Sequence, residues 1–406
     1  MPENPSPMNE SAREVWITGI GIVSSLGEGL EAHWEALDQG RIEVDVVNFA
    51  PYVVHPLAPL NFEQHIPRKD VRQMEPWQRI GTYAATLALE NAGIKDNPDL
   101  LSRLDLVVAT GTGERDLAGE NTILGGLAKA PDRDVFINER LMNDLRPRLF
   151  LAQLPNLLAG YISILHGVTG ASRTFMGEEA AGIDAMRIAL ARIAAGQSEI
   201  VLVGGAHNAE RKDLLLVYEF GGFNLKHAHA PIWQRGPQGG FALGSVGAFI
   251  VLEAREHAEG RGARPFARLT AVLAERTQRQ PGMLAAALRG MWDSLRPRLQ
   301  AKHCGIISGA SGAEPATGDE RTFLAANGGV PVRATGTYMG HSMEPQFPMN
   351  IALAALAVQR GKLFVADDKS TVEAPFIGTL RQAVVTGVGH WRGEGMALVE
   401  AVGERE

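Results

Sequence analysis

The amino-acid sequence predicts an α/β fold in which largely parallel sheets are covered by helices. Three observations lead to this prediction: short apolar runs end in small residues, helical patterns lie between these runs, and the same texture occurs in both halves of the chain. Short apolar runs bounded by glycine are typical of buried strands. Strands that alternate with helices form α/β proteins, whose sheets are largely parallel.

Five apolar runs predict strands in order along the chain. Each run leads into a loop of small residues, as Val15–Thr18 leads into Gly19-Ile20-Gly21. The five runs are residues 15–18, 104–109, 200–203, 305–307 and 383–385. Because the chain contains 46 glycines, we expect many tight turns and close backbone contacts.

Two segments predict helices between these strands. In residues 182–195 the apolar side chains recur at helical spacing, and Gly196 follows as a stop signal. Residues 349–360 have the same pattern and are followed by Gly361. Because the same alternation of strands and helices occurs in both parts of the chain, the sequence predicts two similar halves that pack into one body.

The chain length bounds the domain organisation. At roughly 150 residues per domain, 406 residues predict two or three units or one large fused architecture. Residues 1–13 are polar and proline-containing, so we expect a disordered tail there. The polar segment Glu259–Arg264 indicates a boundary between an N-terminal half, residues 14–260, and a C-terminal half, residues 261–406.

The composition excludes several functional classes. A formal charge of −7 gives no support for nucleic-acid binding. The single cysteine, Cys304, excludes a disulfide framework and a cysteine-based metal cage, and we predict neither a metal nor a cofactor. Because Cys304 precedes a predicted strand, we expect a buried, inert side chain. With no run of about 18 apolar residues and no signal-peptide pattern, we expect no membrane span and a cytoplasmic location.

Four motifs resemble, in the same order, those of β-ketoacyl-ACP synthases, in particular the type II synthases (KAS II) of the thiolase superfamily. They lie at residues 15–27, 198–206, 240–258 and 340–341, and the resemblance covers residues 14–401. It implies the thiolase fold, with two pseudo-repeated α/β halves in a five-layer αβαβα arrangement. It also implies a dimer and an acyl carrier protein as partner.

The family's nucleophile is a cysteine at a strand-to-helix turn, and this position falls on Glu179. Counting back without gaps from Gly204-Gly205-Ala206 gives this register, and Gly182 matches the glycine that follows the family's turn. The family's thiolate takes the acyl chain from a carrier protein. A carboxylate is a poor attacker of a thioester, and the acyl anhydride that it would form is labile.

Other positions of the family's site are altered as well. Of its two catalytic histidines, the second is kept as His341, whereas Ser311 stands at the place of the first. The substrate-binding positions that the resemblance implies are Gly336, in place of a lysine, and Val388 and Gly389. The last two lie in Gly387-Val388-Gly389-His390, which aligns with the family's Gly-Phe-Gly-Gly loop and its gating phenylalanine.

Two basic clusters are candidates for docking an acidic carrier protein. Arg68, Lys69 and Arg72 precede a predicted helix, and Arg211 and Lys212 form the second cluster.

The altered residues lead to one hypothesis and two alternatives. Glu179, Ser311 and Gly336 predict a condensation-inactive homologue similar to chain-length factors, which forms a homodimer or a heterodimer with a Cys-containing β-ketoacyl-ACP synthase. The first alternative is a malonyl-ACP decarboxylase, against which the charge of Glu179 and the loss of one histidine weigh. The second is a divergent 3-oxoacyl-ACP synthase that condenses by another route.

Overall fold

The structure is a computed structural model that describes residues 12–144, 153–226, 228–327, 329–366, 369 and 371–403. The first eleven residues of the predicted tail lie outside these ranges. Among the described residues, no helix is both long and apolar enough to cross a membrane.

The five predicted strands are all present; four are longer than the apolar runs that predicted them, and β4 has the same length, shifted by one residue. The strands in chain order are β1 Val15–Ser24, β2 Gly27–Glu28, β3 Val54–His55, β4 Asp105–Thr110, β5 Ser172–Phe175, β6 Ile200–His207, β7 Leu243–Gly244, β8 Val246–Ala254, β9 Ala267–Glu275, β10 Cys304–Ser308, β11 Val332–Ala334, β12 Gln382–Val388 and β13 Glu394–Glu400.

The strand order repeats between the two halves of the chain. The N-terminal half has the order β5-β4-β6-β8-β1, and the C-terminal half has the order β11-β10-β12-β13-β9. In each half the first three strands of this order are parallel and the last two pair antiparallel. A short antiparallel pairing of β1 with β9 joins the halves, at Trp16–Arg268 and Ile17–Ala267. The predicted pseudo-repeat is therefore confirmed.

Helices follow the predicted pattern, and both predicted segments are helical. The α-helices are α1 Gly29–Asp38, α2 Arg68–Val71, α3 Pro76–Asn91, α4 Pro98–Arg103, α5 Leu117–Leu127, α6 Arg133–Asn143, α7 Leu157–His166, α8 Glu179–Ala194, α9 Lys212–Phe220, α10 Arg255–Gly260, α11 Met283–Leu295, α12 Ala316–Ala326, α13 Gly336–Met339 and α14 Gln346–Arg360. Short 3₁₀ helices occupy Phe62–Gln64, Ile232–Gln234, Arg296–Arg298 and Ala301–His303.

Three apolar cores define five layers. Helices α8 and α14 lie in the central core, packed between the two halves of the sheet. Helices α3 and α7 cover the outer face of the N-terminal half, and α11 and α12 cover the outer face of the C-terminal half. Successive side chains of strand β6 point to opposite faces of the sheet and so pack in two different cores. Val201 and Val203 face the central core, whereas Leu202 faces the outer core of the N-terminal half. This is the predicted αβαβα arrangement.

Candidate active site

A sharp strand-to-helix turn places Glu179 at the first position of the central helix α8. Strand β5 ends at Phe175, and two consecutive residues then have positive φ, Gly177 at 137° and Glu178 at 54°. Residues other than glycine rarely adopt the backbone conformation of Glu178, whose ψ is −136°. The turn is therefore locally strained. The turn directs the side chain of Glu179 into the centre of the molecule, where only 4% of the residue is exposed.

The carboxylate of Glu179 accepts hydrogen bonds from two histidines. Its Oε1 atom lies 2.7 Å from Nε2 of His341 and 2.9 Å from Nδ1 of His390. The backbone N–H of His390 donates to the same oxygen at 3.2 Å. Both histidines are buried, with 1% and 4% of their surfaces exposed. Glu179 therefore links the N-terminus of α8 to the loops that carry the two imidazoles.

The charges of this group follow from burial and from mutual contact. Burial favours the neutral form of Glu179, but the charge of His390 and the hydrogen bonds from both imidazoles hold its pKa well below the usual range. Burial also opposes charge on His390, but the Glu179 carboxylate raises the pKa of this imidazole above its usual value. Burial lowers the pKa of His341 despite its hydrogen bond to Glu179. The site thus favours a Glu179 carboxylate paired with His390.

Backbone contacts with strand β7 position His341. The N–H of His341 donates to the carbonyl of Ala242 at 2.8 Å, and the His341 carbonyl accepts from Gly244 at 2.9 Å. A Cβ atom on Gly244 would lie 1.9 Å from the carbonyl oxygen of Met339, so glycine is required for this approach.

The loop between β12 and β13 positions His390. The guanidinium of Arg279 donates to the carbonyl of Gly389 through Nη2 at 2.6 Å and is also paired with Glu394 at 2.9 Å. The Gly389 N–H donates to the carbonyl of Gly393 at 2.8 Å. These bonds hold the loop so that the imidazole faces Glu179.

Aromatic rings enclose the two imidazoles. Phe241 lies 5.4 Å, between ring centroids, from both His341 and His390. Phe223 and Tyr218 meet His390 edge to face at 4.6 Å and 5.6 Å. This apolar wall separates the Glu179 carboxylate from solvent and strengthens its interactions with the imidazoles.

A cavity of about 480 Å³ lies at the turn, and Glu178 rather than Glu179 lines it. Tyr218 lines the same cavity, and its hydroxyl donates to Oε1 of Glu178 at 3.4 Å. His207 and the buried Glu344 also line it, with 3.5 Å between Nδ1 and Oε2. Burial raises the pKa of Glu178. The cavity therefore has acidic and imidazole side chains but no thiol.

The structure brings Glu179 and His341 together, whereas Ser311 makes contacts within its own loop. The Ser311 hydroxyl accepts a hydrogen bond from the N–H of Ala313 at 3.1 Å, and its carbonyl accepts from Arg235 at 3.2 Å. No hydrogen bond between Ser311 and Glu179 or His341 is present among the described residues. Ser311 is thus engaged in its loop and makes no contact of this kind with the carboxylate.

The three implied substrate-binding positions are buried elements of the fold. Gly336 begins α13, and a Cβ there would lie 2.5 Å from Cδ1 of Ile232. Val388 ends β12 and packs in the outer core of the C-terminal half, and Gly389 begins the His390 loop. Their roles in binding a substrate stay predictions.

The basic clusters differ in accessibility. Arg68, Lys69 and Arg72 are exposed; the first two form part of the short helix α2, and the cluster precedes the longer helix α3. Lys212 is exposed, whereas Arg211 is buried and bound to Asp213 at 2.6 Å.

Arg211 also donates to two backbone carbonyls, those of Thr112 and Gly113, at 3.1 Å each. Its guanidinium therefore holds a neighbouring loop and does not face a partner. The placement of Arg211 in a docking surface needs this correction, and Lys212 is the member of the pair that is available at the surface.

Cys304 begins β10 and is fully buried. Burial raises the pKa of its thiol to about 12. A thiol in this state is not a nucleophile near neutral pH, in agreement with the prediction that Cys304 is inert.

Sequence reasoning missed His390 as a site residue. The signal was present, because His390 aligns with a glycine of the family's gating loop, and a side chain added there has to occupy the adjacent site. Glu178, His207 and Glu344 were also missed, since no motif gives their positions relative to the cavity.

The five-layer fold and the strand-to-helix turn that faces a histidine define a protein of the ketosynthase class. The family model described as "Beta-ketoacyl synthase, N-terminal domain" matches residues 12–258. The chain belongs to the β-ketoacyl synthase family.

Curated relatives come from fatty-acid and polyketide pathways. The 3-oxoacyl-[acyl-carrier-protein] synthase 2 of Vibrio cholerae is 27% identical over 271 residues, which are 63% of this chain and 62% of that protein. The match thus spans less than two thirds of that relative's length. The actinorhodin polyketide putative beta-ketoacyl synthase 2 of Streptomyces coelicolor is 26% identical over 367 residues, 86% of each chain.

Solved structures share the fold over nearly the whole chain. The ishigamide ketosynthase/chain length factor has a TM-score of 0.78 at 19% identity and covers 97% of this chain and 100% of its own. The AntDE:AntF structure, a type II polyketide acyl-carrier protein in complex with its ketosynthase, has a TM-score of 0.71 at 17% identity and covers 96% and 100%. At these identities the likeness establishes the fold.

Proposed function

We propose that this chain is a non-condensing β-ketoacyl synthase homologue that acts, like a chain-length factor, as the partner of a Cys-containing β-ketoacyl-ACP synthase. One observation carries the proposal. The position of the family's nucleophile is occupied by Glu179, and both nearby imidazoles donate hydrogen bonds to its carboxylate.

This arrangement removes the first step of condensation. Acyl transfer requires a nucleophile that forms a stable acyl intermediate. The Glu179 carboxylate would give an anhydride, and its Oε1 already accepts three hydrogen bonds. The chain therefore has no group at this position that can hold an acyl chain for extension.

The same arrangement opposes decarboxylation of malonyl-ACP. Loss of carbon dioxide leaves an enolate that needs hydrogen-bond donors aimed at its oxygen. Here Nε2 of His341 donates to Glu179, and Ser311 accepts a bond within its own loop. The negative charge of Glu179 would also repel the enolate, so the alternative of a malonyl-ACP decarboxylase is disfavoured.

An unpaired apolar surface beside the cavity supports a role as partner subunit. Strand β5 forms one edge of the sheet and pairs with β4 among the described strands. Met176 follows this strand directly and is exposed at the cavity together with Val217 of α9, and Leu216 and Phe220 are further exposed apolar residues of α9. Exposed apolar side chains beside an open strand edge are typical of an interface.

Two of these residues connect the surface to the cavity. Met176 and Val217 are exposed and also line the cavity of about 480 Å³. A partner bound at this surface would complete the wall of that cavity. The chain could then limit the space for an acyl chain that grows on the partner.

An acyl carrier protein is the second proposed partner. The exposed side chains of Arg68, Lys69, Arg72 and Lys212 supply positive charge for an acidic protein. Charge complementarity of this kind steers association, and salt weakens it.

The experiment that tests the proposed function is an intact-mass assay on carrier protein. The purified chain is mixed with malonyl-ACP and octanoyl-ACP, and a Cys-containing type II synthase serves as the active control. We expect unchanged masses with the chain alone. A 3-oxoacyl-ACP product would overturn the proposal and support a divergent synthase. Acetyl-ACP without extended product would instead support the decarboxylase.

A further inference from the structure

Three buried side chains from separate parts of the chain converge on one point. Glu179 begins α8, His341 lies in the loop before α14, and His390 lies in the loop between β12 and β13. One potential ligand atom of each residue lies within 4.8 Å of the other two. Such convergence of two imidazoles and one carboxylate is the donor set of many transition-metal sites.

The hydrogen bonds of this group leave two polar atoms unused. Oε2 of Glu179 and Nδ1 of His341 are buried and have no hydrogen-bond partner. A native protein rarely buries such atoms unpaired, because each loses its hydration without compensation. A cation bound by both oxygens of this carboxylate would contact Oε1, which faces the two imidazoles, and would also satisfy Oε2, which they leave free.

A second carboxylate stands behind one of the imidazoles. Nε2 of His390 lies 3.9 Å from Oε1 of Glu178, on the other side of the ring from the Nδ1 atom that faces Glu179. Metal-binding histidines commonly direct their second nitrogen toward a carboxylate, which fixes the ring orientation. In this chain the carboxylate near the second nitrogen of His390 belongs to Glu178. Its backbone φ of 54° is part of the strained turn, so the turn positions this carboxylate.

The distances fit a small ion after a modest adjustment. The imidazole nitrogens lie 2.7 Å and 2.9 Å from Oε1 of Glu179. Ligand atoms about 2.0–2.1 Å from a tetrahedral zinc ion are about 3.3 Å from one another. The three side chains would therefore have to move apart by about half an ångström.

The acidic cavity lies next to the site. Glu178 lines the cavity and is also the carboxylate near His390. Glu344 and His207 line the same cavity and supply further groups that attract a cation. Its one lining guanidinium, that of Arg211, is paired with Asp213.

We infer that Glu179, His341 and His390 bind one divalent transition-metal ion of the zinc, cobalt or ferrous type. Two nitrogen ligands and a single carboxylate select such ions over Mg²⁺ and Ca²⁺, which prefer oxygen ligands. Three protein ligands would leave a fourth coordination position for water or another small ligand. This inference concerns binding and does not rest on the proposed function.

The test is a cobalt titration of the full chain, with any affinity tag removed and bound metal stripped by a chelator. Co²⁺ is added while visible absorption is recorded, and Zn²⁺ is then added as competitor. We expect uptake of one equivalent, with the intense bands of a tetrahedral site, and displacement by Zn²⁺. Mg²⁺ is expected not to compete.

Variants assign the site. E179Q and H390Q are expected to weaken Co²⁺ binding at least about 100-fold, and E178Q about 10-fold. His303, which donates to the carbonyl of Thr379 far along the chain, provides the matched control H303Q, with unchanged binding. Circular dichroism verifies that each variant is folded.

Two results would overturn the inference. One is the failure of the folded wild-type chain to take up an equivalent of Co²⁺ or Zn²⁺. The other is wild-type affinity in both E179Q and H390Q. Because the wild-type titration decides the first point, the test does not depend on the folding of any variant.

Discussion

Nε2 of His341 lies 2.7 Å from Oε1 of Glu179, the residue that the sequence register aligns with the family's nucleophilic cysteine. On that alignment, the histidine faces a carboxylate where the family has a thiol. Because this carboxylate also binds His390, the group ties together α8 and two loops of the C-terminal half. We propose that this contact has a structural role in this chain.

Removal of the Glu179 carboxylate should destabilise the protein. In E179A two buried imidazoles and the N–H of His390 lose their acceptor, so we expect the free energy of unfolding to fall by about 3 kcal/mol. E179Q keeps an acceptor oxygen and should lose less, about 1 kcal/mol. Urea unfolding in a chelator-containing buffer measures both.

The control for this prediction is E256A, because Glu256 is exposed on α10. It should change the free energy of unfolding by less than about 0.5 kcal/mol. Equal stability of E179A and E256A would show that the buried hydrogen bonds of Glu179 contribute nothing to the fold.

A pair of glycines tests the close packing that brings His341 to Glu179. A Cβ on Gly182 of α8 would lie 2.1 Å from the carbonyl oxygen of Glu344, in the loop that follows His341. We therefore expect G182A to destabilise the protein by about 3 kcal/mol. Gly290 lies in α11, and a Cβ there has open space, so G290A should stabilise by up to about 1 kcal/mol. Thermal unfolding measures whether the two variants change the stability in opposite directions. A stabilised G182A would contradict the close packing of α8 against the carbonyl of Glu344.

Buried His33 predicts a loss of stability in mild acid. Its Nδ1 lies 2.7 Å from the carbonyl of Gly29, so Nδ1–H donates there and Nε2 accepts from the Ser24 hydroxyl at 2.8 Å. Burial lowers the pKa of His33 from 6.5 to about 4. The unfolded chain therefore binds a proton first, so the stability is complete above pH 6.5 and falls as the pH drops toward 4.

This loss should amount to roughly 3 kcal/mol for His33 alone. The slope of unfolding free energy against pH, from urea titrations between these limits, should be smaller in H33Q. S294A, at an exposed and non-titrating residue of α11, is the control and should keep the wild-type slope. An unchanged slope in H33Q would mean that His33 does not titrate between the two states as its burial requires.

The exposed apolar surface near β5 should control self-association or partner binding. Phe220 is 84% exposed on α9, the helix that also carries Val217 of the cavity wall, so F220D places a charge in the proposed interface. We expect at least about tenfold weaker association in sedimentation equilibrium, for the chain alone or for its complex with a co-expressed Cys-containing synthase. Ile377, 90% exposed in the C-terminal half, gives the matched control I377D. Equal behaviour of the two variants would place the interface elsewhere.

Much of the fold could be predicted because local patterns specify it. Apolar runs that end in glycine predicted five strands, and helical spacing predicted α8 and α14 within three residues of their observed starts. The register of Glu179 followed from an ungapped count through α8 and β6. His341 followed from its own motif, so both residues could be assigned to one site.

Other features depend on long-range contacts that the sequence does not specify locally. Arg211 belongs to a basic pair, but its side chain reaches Asp213 and the carbonyls of Thr112 and Gly113, which only the folded chain brings near. His390 was aligned with a glycine, and its contact with Glu179 depends on the loop that Arg279 holds in place. The directions of side chains in loops could therefore not be predicted from the sequence.

The most direct test of the account asks whether the chain itself accepts an acyl group. The purified protein is incubated with octanoyl-ACP and divided into two aliquots. One aliquot is quenched with acid, which preserves thioesters, and gives the acylation of the chain and of the carrier protein by intact mass; the other is quenched with hydroxylamine, which converts an anhydride on Glu179 to a hydroxamate, and is analysed by peptide mapping. The account predicts an unmodified chain and a carrier protein that keeps its octanoyl group, whereas a Cys-containing synthase loads under the same conditions. Deacylated carrier together with a hydroxamate on Glu179, or an octanoyl group on Cys304, would contradict the account and identify the residue that replaces the missing nucleophile.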